Sequence, residues 1–187
     1  MRIIMATAAL GLVACSGTSG DHTQTPQWQF YQVNMKSLCG QTLTGSVVSD
    51  DPEDADWRGK VLTVGPVECS DARNNSAIRM PLAVGDDQSR QWSLIPRADG
   101  LLLSHRHTFK DGSPDPVTGY GGLAEEPGTA TRKNFPVDEF SKALFLENGL
   151  DASVTNVWTM EIIPGEVFAY ELNREGRHFR AEFPLSP

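Results

Sequence analysis

Most of the chain alternates apolar and polar residues in short runs, which is the pattern of half-buried β-strands. Residues 101–109 place Leu101, Leu103, His105, His107 and Phe109 on one face of such a strand. Near the C terminus, three further runs are joined by tight turns and predict an antiparallel meander: residues 157–163, 166–172 and 177–185.

One segment has helical spacing instead. Ala143 and Leu144 lie three and four residues after Phe140, Asp138 precedes this segment, and Gly149 comes after it. This predicts one short helix with Asp138 near its N-cap. Short strands, frequent turns and a single helix predict a mainly β domain over residues 27–187, either an antiparallel β-barrel or a sandwich. The C-terminal meander favours a small up-and-down barrel.

The first residues have the pattern of an export signal. Arg2 precedes an apolar run over residues 3–12, and small residues follow it up to Cys15. A charged start, a short apolar centre and small residues at the cut are typical of a secretory signal peptide, predicted here over residues 1–14. The run is too short to span a bilayer, which needs about 20 apolar residues. Residues 15–26 are rich in Ser, Gly and Thr and predict a flexible tether.

The sequence Leu12-Val13-Ala14-Cys15 resembles the lipobox of bacterial lipoproteins. The resemblance implies cleavage before Cys15, a thioether-linked diacylglycerol on its sulfur and acylation, such as palmitoylation, of its new amino group. In that family an Asp after the cysteine often marks retention in the inner membrane, so Ser16 favours the outer membrane, facing the periplasm. The bilayer is then a partner through the acyl chains. An ordinary secreted protein is the alternative.

Two further resemblances concern the folded domain. The strand pattern is similar to that of lipocalins, although their Gly-x-Trp motif is missing from the first strand: Trp28 is followed by Gln-Phe-Tyr, and Gly45 has no Trp near it. The domain also resembles exported proteobacterial lipoproteins with no assigned activity. That likeness rests on the Asp111-Gly112 turn after a histidine-bearing strand and on the Phe-Ala-Tyr-Glu-Leu run at 168–172. Neither resemblance implies a ligand or a reaction.

Charge narrows the classes of partner. The formal charge is −8 and becomes −9 once Arg2 leaves with the signal peptide. An acidic domain argues against nucleic acid, whose binding depends on basic contacts to phosphates. It also argues against adhesion of the domain itself to an anionic bilayer. The acidic run at residues 50–56 predicts a solvated loop, with a cation site as the alternative.

Two cysteines remain if Cys15 is lipidated. In the oxidising compartment that export implies, Cys39 and Cys69 are expected to form a disulfide. A metal site or a reactive thiol is the alternative, but neither cysteine lies in a CxxC motif or close to a histidine.

The strongest local candidate for chemistry is the pair His105 and His107. Residues i and i+2 of a strand share a face, so the two imidazoles could supply half of a zinc or copper site. Candidates for the further ligands are Asp111, Asp115, Tyr120 and His178. The alternative is that the imidazoles bond their neighbours. We expect His105, His107 and Tyr120, near Asp111, to form a polar ligand-binding patch at the mouth of a barrel.

Three functions remain open at this point. The first is a non-enzymatic binding or structural module of the envelope, whose partner could be another envelope protein. It is favoured because the sequence has no HExxH or Gly-x-Ser-x-Gly motif and therefore no assigned catalytic residue, metal or cofactor. The second is a barrel that binds a small apolar ligand inside, which a cavity lined by aromatic side chains would support. The third is a metal-dependent enzyme using His105 and His107. Four tryptophans are core or rim candidates, and some would line a cavity: Trp28, Trp57, Trp92 and Trp158.

Overall fold

The computed structural model describes residues 25–70, 76–126 and 128–185. Cys15, the predicted signal peptide and most of the predicted tether lie outside these residues. The described chain is mainly β, as the alternation predicts. Its strands are β1 Leu43–Val47, β2 Leu62–Val64, β3 Glu68–Ser70, β4 Ala77–Val84, β5 Asp87–Arg97, β6 Gly100–His107, β7 Gly121–Leu123, β8 Arg132–Pro136, β9 Val157–Ile163, β10 Val167–Arg174 and β11 Arg177–Pro184.

The strands form one antiparallel sheet in the order β7-β6-β5-β4-β2-β1-β11-β10-β9-β8. The short strand β3 pairs with the first residues of β4, and β2 pairs with its last residues. The two ends of this path meet through backbone hydrogen bonds. The Glu125 N–H donates to the Asn134 carbonyl at 2.9 Å, and the Asp138 N–H donates to the Gly121 carbonyl at 3.0 Å. The architecture is therefore a nearly closed up-and-down barrel, which decides between the barrel and the sandwich.

The predicted helix is present as α2, Glu139–Glu147, and Asp138 caps it by accepting a 2.8 Å hydrogen bond from the Ser141 N–H. The expectation of a single helix was incomplete. A helical segment precedes β1 and consists of α1, Pro26–Trp28, a π-helical stretch and a 3₁₀ turn. The last two span Gln29–Asn34 and Met35–Leu38.

This N-terminal helical segment packs at the end of the barrel where β4 begins. Its Asn34 amide donates to the Ala130 carbonyl at 2.7 Å, and the Tyr31 hydroxyl lies 3.5 Å from the Ser76 hydroxyl, just before β4. Phe30 and Met35 are fully buried there. The segment therefore extends the core and fills one end of the barrel with apolar side chains.

The predicted disulfide is confirmed. Cys39, directly after the N-terminal helical segment, bonds to Cys69 in β3, with a Cα–Cα distance of 5.7 Å. The bond closes a separation of 30 residues. In the chain-entropy model a loop of that length stabilises the fold by about 3–4 kcal/mol.

The core is continuous along the inner face of the barrel but does not fill it. In β11, Phe179, Ala181 and Phe183 are buried, whereas His178 and Arg180 lie on the outer face, as the alternation predicts. Apolar side chains fill the half of the barrel nearest the N-terminal helical segment: Ile78, Met80, Leu94, Leu103, Met160, Ile162, Phe168 and Phe183. The other half contains a cavity.

Candidate functional site

A cavity of about 360 Å³ opens at the end of the barrel where β6 and β10 end and where β9 and β11 begin. Its floor and walls consist mainly of aromatic rings, and its rim carries charged side chains. The ring-bearing residues are Trp57, Trp92, His105, His107, Tyr120, Phe145, Trp158, Tyr170 and Phe179. Three of the four tryptophans therefore line the cavity, and Trp28 does not.

The inward position of the two histidines was predicted correctly. His105 and His107 follow Leu101 and Leu103 on the inner face of β6, and His105 is only 2% exposed. The chain after β6 folds back beside it, because the His107 N–H donates to the Thr118 hydroxyl at 2.8 Å. This return places Tyr120 against the histidines.

Two hydrogen bonds fix the tautomer of His105. Nδ1 lies 3.2 Å from the Tyr120 carbonyl oxygen, and Nε2 lies 2.7 Å from the Tyr170 hydroxyl. A carbonyl oxygen can only accept, so Nδ1 carries the proton and Nε2 accepts from Tyr170. The Tyr120 hydroxyl lies 2.9 Å from His107 Nε2, which makes a second His–Tyr pair.

Burial holds both pairs in their neutral forms. It lowers the pKa of His105 to about 3, and it lowers the pKa of His107 with a further contribution from the positive charge of Arg90. Burial also raises the pKa of the Tyr120 and Tyr170 hydroxyls. At neutral pH the floor of the cavity is therefore polar but uncharged.

The aromatic walls are packed ring against ring. Trp92 stacks on Tyr170 with a centroid distance of 4.1 Å and an interplanar angle of 17°. Tyr120 stacks on His105 at 4.7 Å and 12°, and Trp158 lies 4.8 Å from the His105 ring. Offset stacking of this kind adds about 0.5–1.5 kcal/mol per pair to the stabilisation from burial. The rings therefore hold each other in place.

A short segment, residues 51–57, crosses the rim of the cavity, and we call it the mouth strap. Its 3₁₀ turn, Pro52–Asp54, is capped by the Asp51 side chain, which accepts from the Glu53 N–H at 2.9 Å. Trp57, at its end, packs edge-on against Phe179 at 5.4 Å, with the Arg90 guanidinium 5.1 Å from its ring centroid.

Ion pairs fasten the mouth strap to β10 and β11. Arg177 pairs with the Asp54 carboxylate and lies 3.1 Å from Asp51, while Arg174 lies 3.2 Å from Glu53. The Asp54 side chain is 3% exposed and the Arg177 side chain 9% exposed. The solvated loop that the sequence predicts is therefore confirmed only in part: Asp50, Glu53 and Asp56 are exposed, but the Asp54 carboxylate is buried against an arginine.

Other sequence candidates lie away from the cavity. Asp111, expected near the histidines, is exposed and accepts hydrogen bonds from Ser113 in its own turn. His178 is on the outer face, bonded to Asn173 at 2.7 Å. Within the ranges that the structure describes, no group of three or more His, Cys, Asp or Glu side chains is placed to hold a metal ion. Asp111 and His178 therefore do not supply the third ligand of a metal site at His105 and His107.

The neutral state of His105 predicts a pH dependence of stability. The unfolded chain binds a proton below the ordinary imidazole pKa of 6.5, whereas folded His105 binds it only near pH 3. The stabilisation is therefore complete above pH 6.5 and is lost as the pH falls. Between about pH 5 and about pH 7.5, the free energy of unfolding should rise by about 2 kcal/mol more in the wild type than in His105→Gln. Urea unfolding at the two pH values measures this difference. An equal pH dependence in both proteins would contradict the assignment.

Comparisons with family models, with curated proteins and with solved structures find no match to this chain. In the part of the chain that the structure describes, no helix has the length and apolar character needed to cross a membrane. The fold and the site place the protein among up-and-down β-barrels, with one half filled by apolar side chains and a cavity with aromatic walls in the other half.

Proposed function

We propose that this protein is a small-molecule-binding barrel that is tethered to the bacterial envelope by a lipid on Cys15. The observation that carries the proposal is the cavity of about 360 Å³ inside one half of the barrel. Pockets for small molecules commonly measure about 300–1,000 Å³ and combine apolar walls with a few polar groups. The ring-lined walls and the two His–Tyr pairs match that description.

The cavity is also preorganised for binding. The Trp92–Tyr170 and His105–Tyr120 stacks hold four of the lining rings in place, and hydrogen bonds fix the His105 imidazole. Few side chains would have to be ordered when a ligand enters, so little of the interaction energy would be lost to entropy. The geometry therefore favours a binding role over a purely structural one.

Binding is favoured over catalysis by the same chemistry. A general base works best when its pKa lies near the operating pH. The pKa of His105 is lowered to about 3, and its Nε2 already accepts a hydrogen bond from Tyr170. An imidazole in this state contributes to the shape and polarity of a binding site more readily than to proton transfer.

A cavity-filling variant tests the binding function. Ser153 lines the cavity from the 3₁₀ turn Asp151–Thr155, whereas Thr155 in the same turn is exposed. A library of small aromatic fragments is screened by ligand-observed NMR against the wild type, Ser153→Trp and Thr155→Trp. We expect fragments that bind the wild type and Thr155→Trp but not Ser153→Trp. Equal binding to all three proteins, or no binding to the wild type, would refute the function.

The envelope location rests on the lipobox and is tested separately. A diacylglycerol with a further acyl chain should anchor the protein stably, because one chain alone binds only marginally. Cys15→Ser should therefore move the protein from the membrane fraction to the soluble fraction, whereas Ser16→Ala should stay with the membrane. Density-gradient separation of the two membranes tests the expected outer-membrane location. Retention of Cys15→Ser in the membrane fraction at the wild-type level would contradict the anchor.

A further inference from the structure

We propose that the ligand is an uncharged, planar ring compound with a hydroxyl or carbonyl group, which stacks among the cavity rings. This inference rests on the proposed binding function and specifies its ligand class. It follows from three observations on the cavity: the pairing of every charged side chain at the rim, the hydrogen-bonded neutral groups at the floor, and the arrangement of the rings.

Each charged side chain that lines the cavity already has an opposite charge beside it. Arg90 pairs with Asp87, Arg174 with Glu53, and Arg177 with Asp54. Arg90 is also placed over the Trp57 ring. An anionic ligand would meet arginines whose charge a carboxylate already compensates, and a cationic ligand would meet carboxylates already compensated by an arginine. Neither kind of ligand finds an uncompensated opposite charge among these side chains.

The floor offers no charge to a ligand that passes the rim. The His105 imidazole is held between the Tyr120 carbonyl and the Tyr170 hydroxyl, and the His107 imidazole bonds the Tyr120 hydroxyl. A charged group brought here would lose its water shell without meeting a counter-charge, which is costly. An uncharged group has no such cost, so burial in this cavity discriminates by charge.

The remaining hydrogen-bonding capacity suits hydroxyl and carbonyl groups. The Tyr120 hydroxyl, which lines the cavity, has one bond, to His107 Nε2, and can form one more as donor or as acceptor. Asn156 accepts from Arg174 through Oδ1 at 3.2 Å, and its amide nitrogen can donate. The ring faces around them favour a flat partner, because offset stacking and edge-to-face contacts both need aromatic geometry.

Three matched probes test the ligand class by isothermal titration calorimetry at neutral pH. They are 2-naphthol, which is uncharged, 2-naphthoate, which is an anion, and N-methylquinolinium, which is a cation. All three present a fused two-ring system of similar size. We expect 2-naphthol to bind at least about tenfold more tightly than either ion, because charge burial easily exceeds the energy of a tenfold change in affinity. Ser153→Trp should abolish binding, and Thr155→Trp should retain it.

The possible failures are distinguishable. If either ion binds as tightly as 2-naphthol and Ser153→Trp abolishes that binding, the cavity binds small molecules but the uncharged class is wrong. If none of the probes binds the wild type, or if they bind Ser153→Trp equally well, both this inference and the proposed function lose their support.

Discussion

Gly122→Ala is expected to lower the free energy of unfolding by at least about 3 kcal/mol, the upper end of the usual cost of overpacking. Gly122 lies in β7, where the two ends of the sheet meet. A Cβ atom at this position would lie 1.7 Å from the Pro136 carbonyl oxygen, which is backbone and cannot rotate away. The strands at this seam would have to separate to admit a methyl group.

The side chain of Ser141, in α2, also contributes hydrogen bonds at this seam. The Ser141 hydroxyl bridges both backbone groups of Gly121, accepting from its N–H at 2.8 Å and donating to its carbonyl at 3.2 Å. Separation of β7 from β8 would therefore also disturb α2, which carries Ser141 and the cavity residue Phe145. We expect Gly122→Ala to lose fragment binding together with stability.

Gly149→Ala is the matched control for this prediction. Gly149 follows α2 with a φ of 70°, and an added Cβ would meet nothing within 4 Å. The substitution therefore costs only the left-handed backbone strain, about 1–2 kcal/mol. Urea unfolding of the two variants separates the effects. A loss in Gly122→Ala no larger than that in Gly149→Ala would mean that the seam accommodates a side chain.

The sequence predicted correctly those features that depend on neighbouring residues and on the period of a strand or helix. Alternation in β6 correctly placed His105 and His107 on the inner face, because a strand repeats every two residues whatever lies around it. The pattern was extended too far, since Phe109 lies beyond the end of β6 and is 51% exposed. The N-cap at Asp138 was likewise predictable from local signals alone.

Local patterns could not predict the N-terminal helical segment. Thr25 and Pro26 have the residue types of a helix start, and the Thr25 hydroxyl does accept from the Trp28 N–H at 3.2 Å. The π-helical turns that follow do not have the 3.6-residue period, so the buried Phe30 and Met35 fall outside an amphipathic pattern. Packing against the barrel decides this conformation.

The rim of the cavity was unpredictable for a different reason. Asp54 and Arg177 are separated by 123 residues, and nothing near either one indicates its partner. A run of acidic residues indicates solvation, and only the closed barrel brings β11 back to the mouth strap. The stacking of Trp92 on Tyr170 is long-range in the same way.

Arg177→Met is expected to lower the free energy of unfolding by about 3 kcal/mol and to release the mouth strap. Methionine replaces the aliphatic stem of arginine but carries no charge, so in the closed strap the Asp54 carboxylate would be buried without its partner, and this favours release of the strap. Removing one member of a buried ion pair costs about 3–5 kcal/mol for this reason. We use the lower value because Arg177 also pairs with two other strap carboxylates, Asp51 and Glu53, which can turn to solvent.

Two further variants distinguish the cost of an unpaired buried charge from the cost of losing any arginine. Arg97 pairs with Asp99 on the surface, where both side chains are about half exposed, at 50% and 52%. Arg97→Met should therefore cost less than about 1 kcal/mol. Adding Asp54→Asn to Arg177→Met should recover part of the stability, because the unpaired charge is then gone. Urea unfolding measures all three. The tryptophan fluorescence of the protein, to which Trp57 contributes, should shift to the red in Arg177→Met as Trp57 leaves Phe179. A loss no greater than that of Arg97→Met, with unchanged fluorescence, would mean that packing of Trp57 holds the mouth strap without the ion pair.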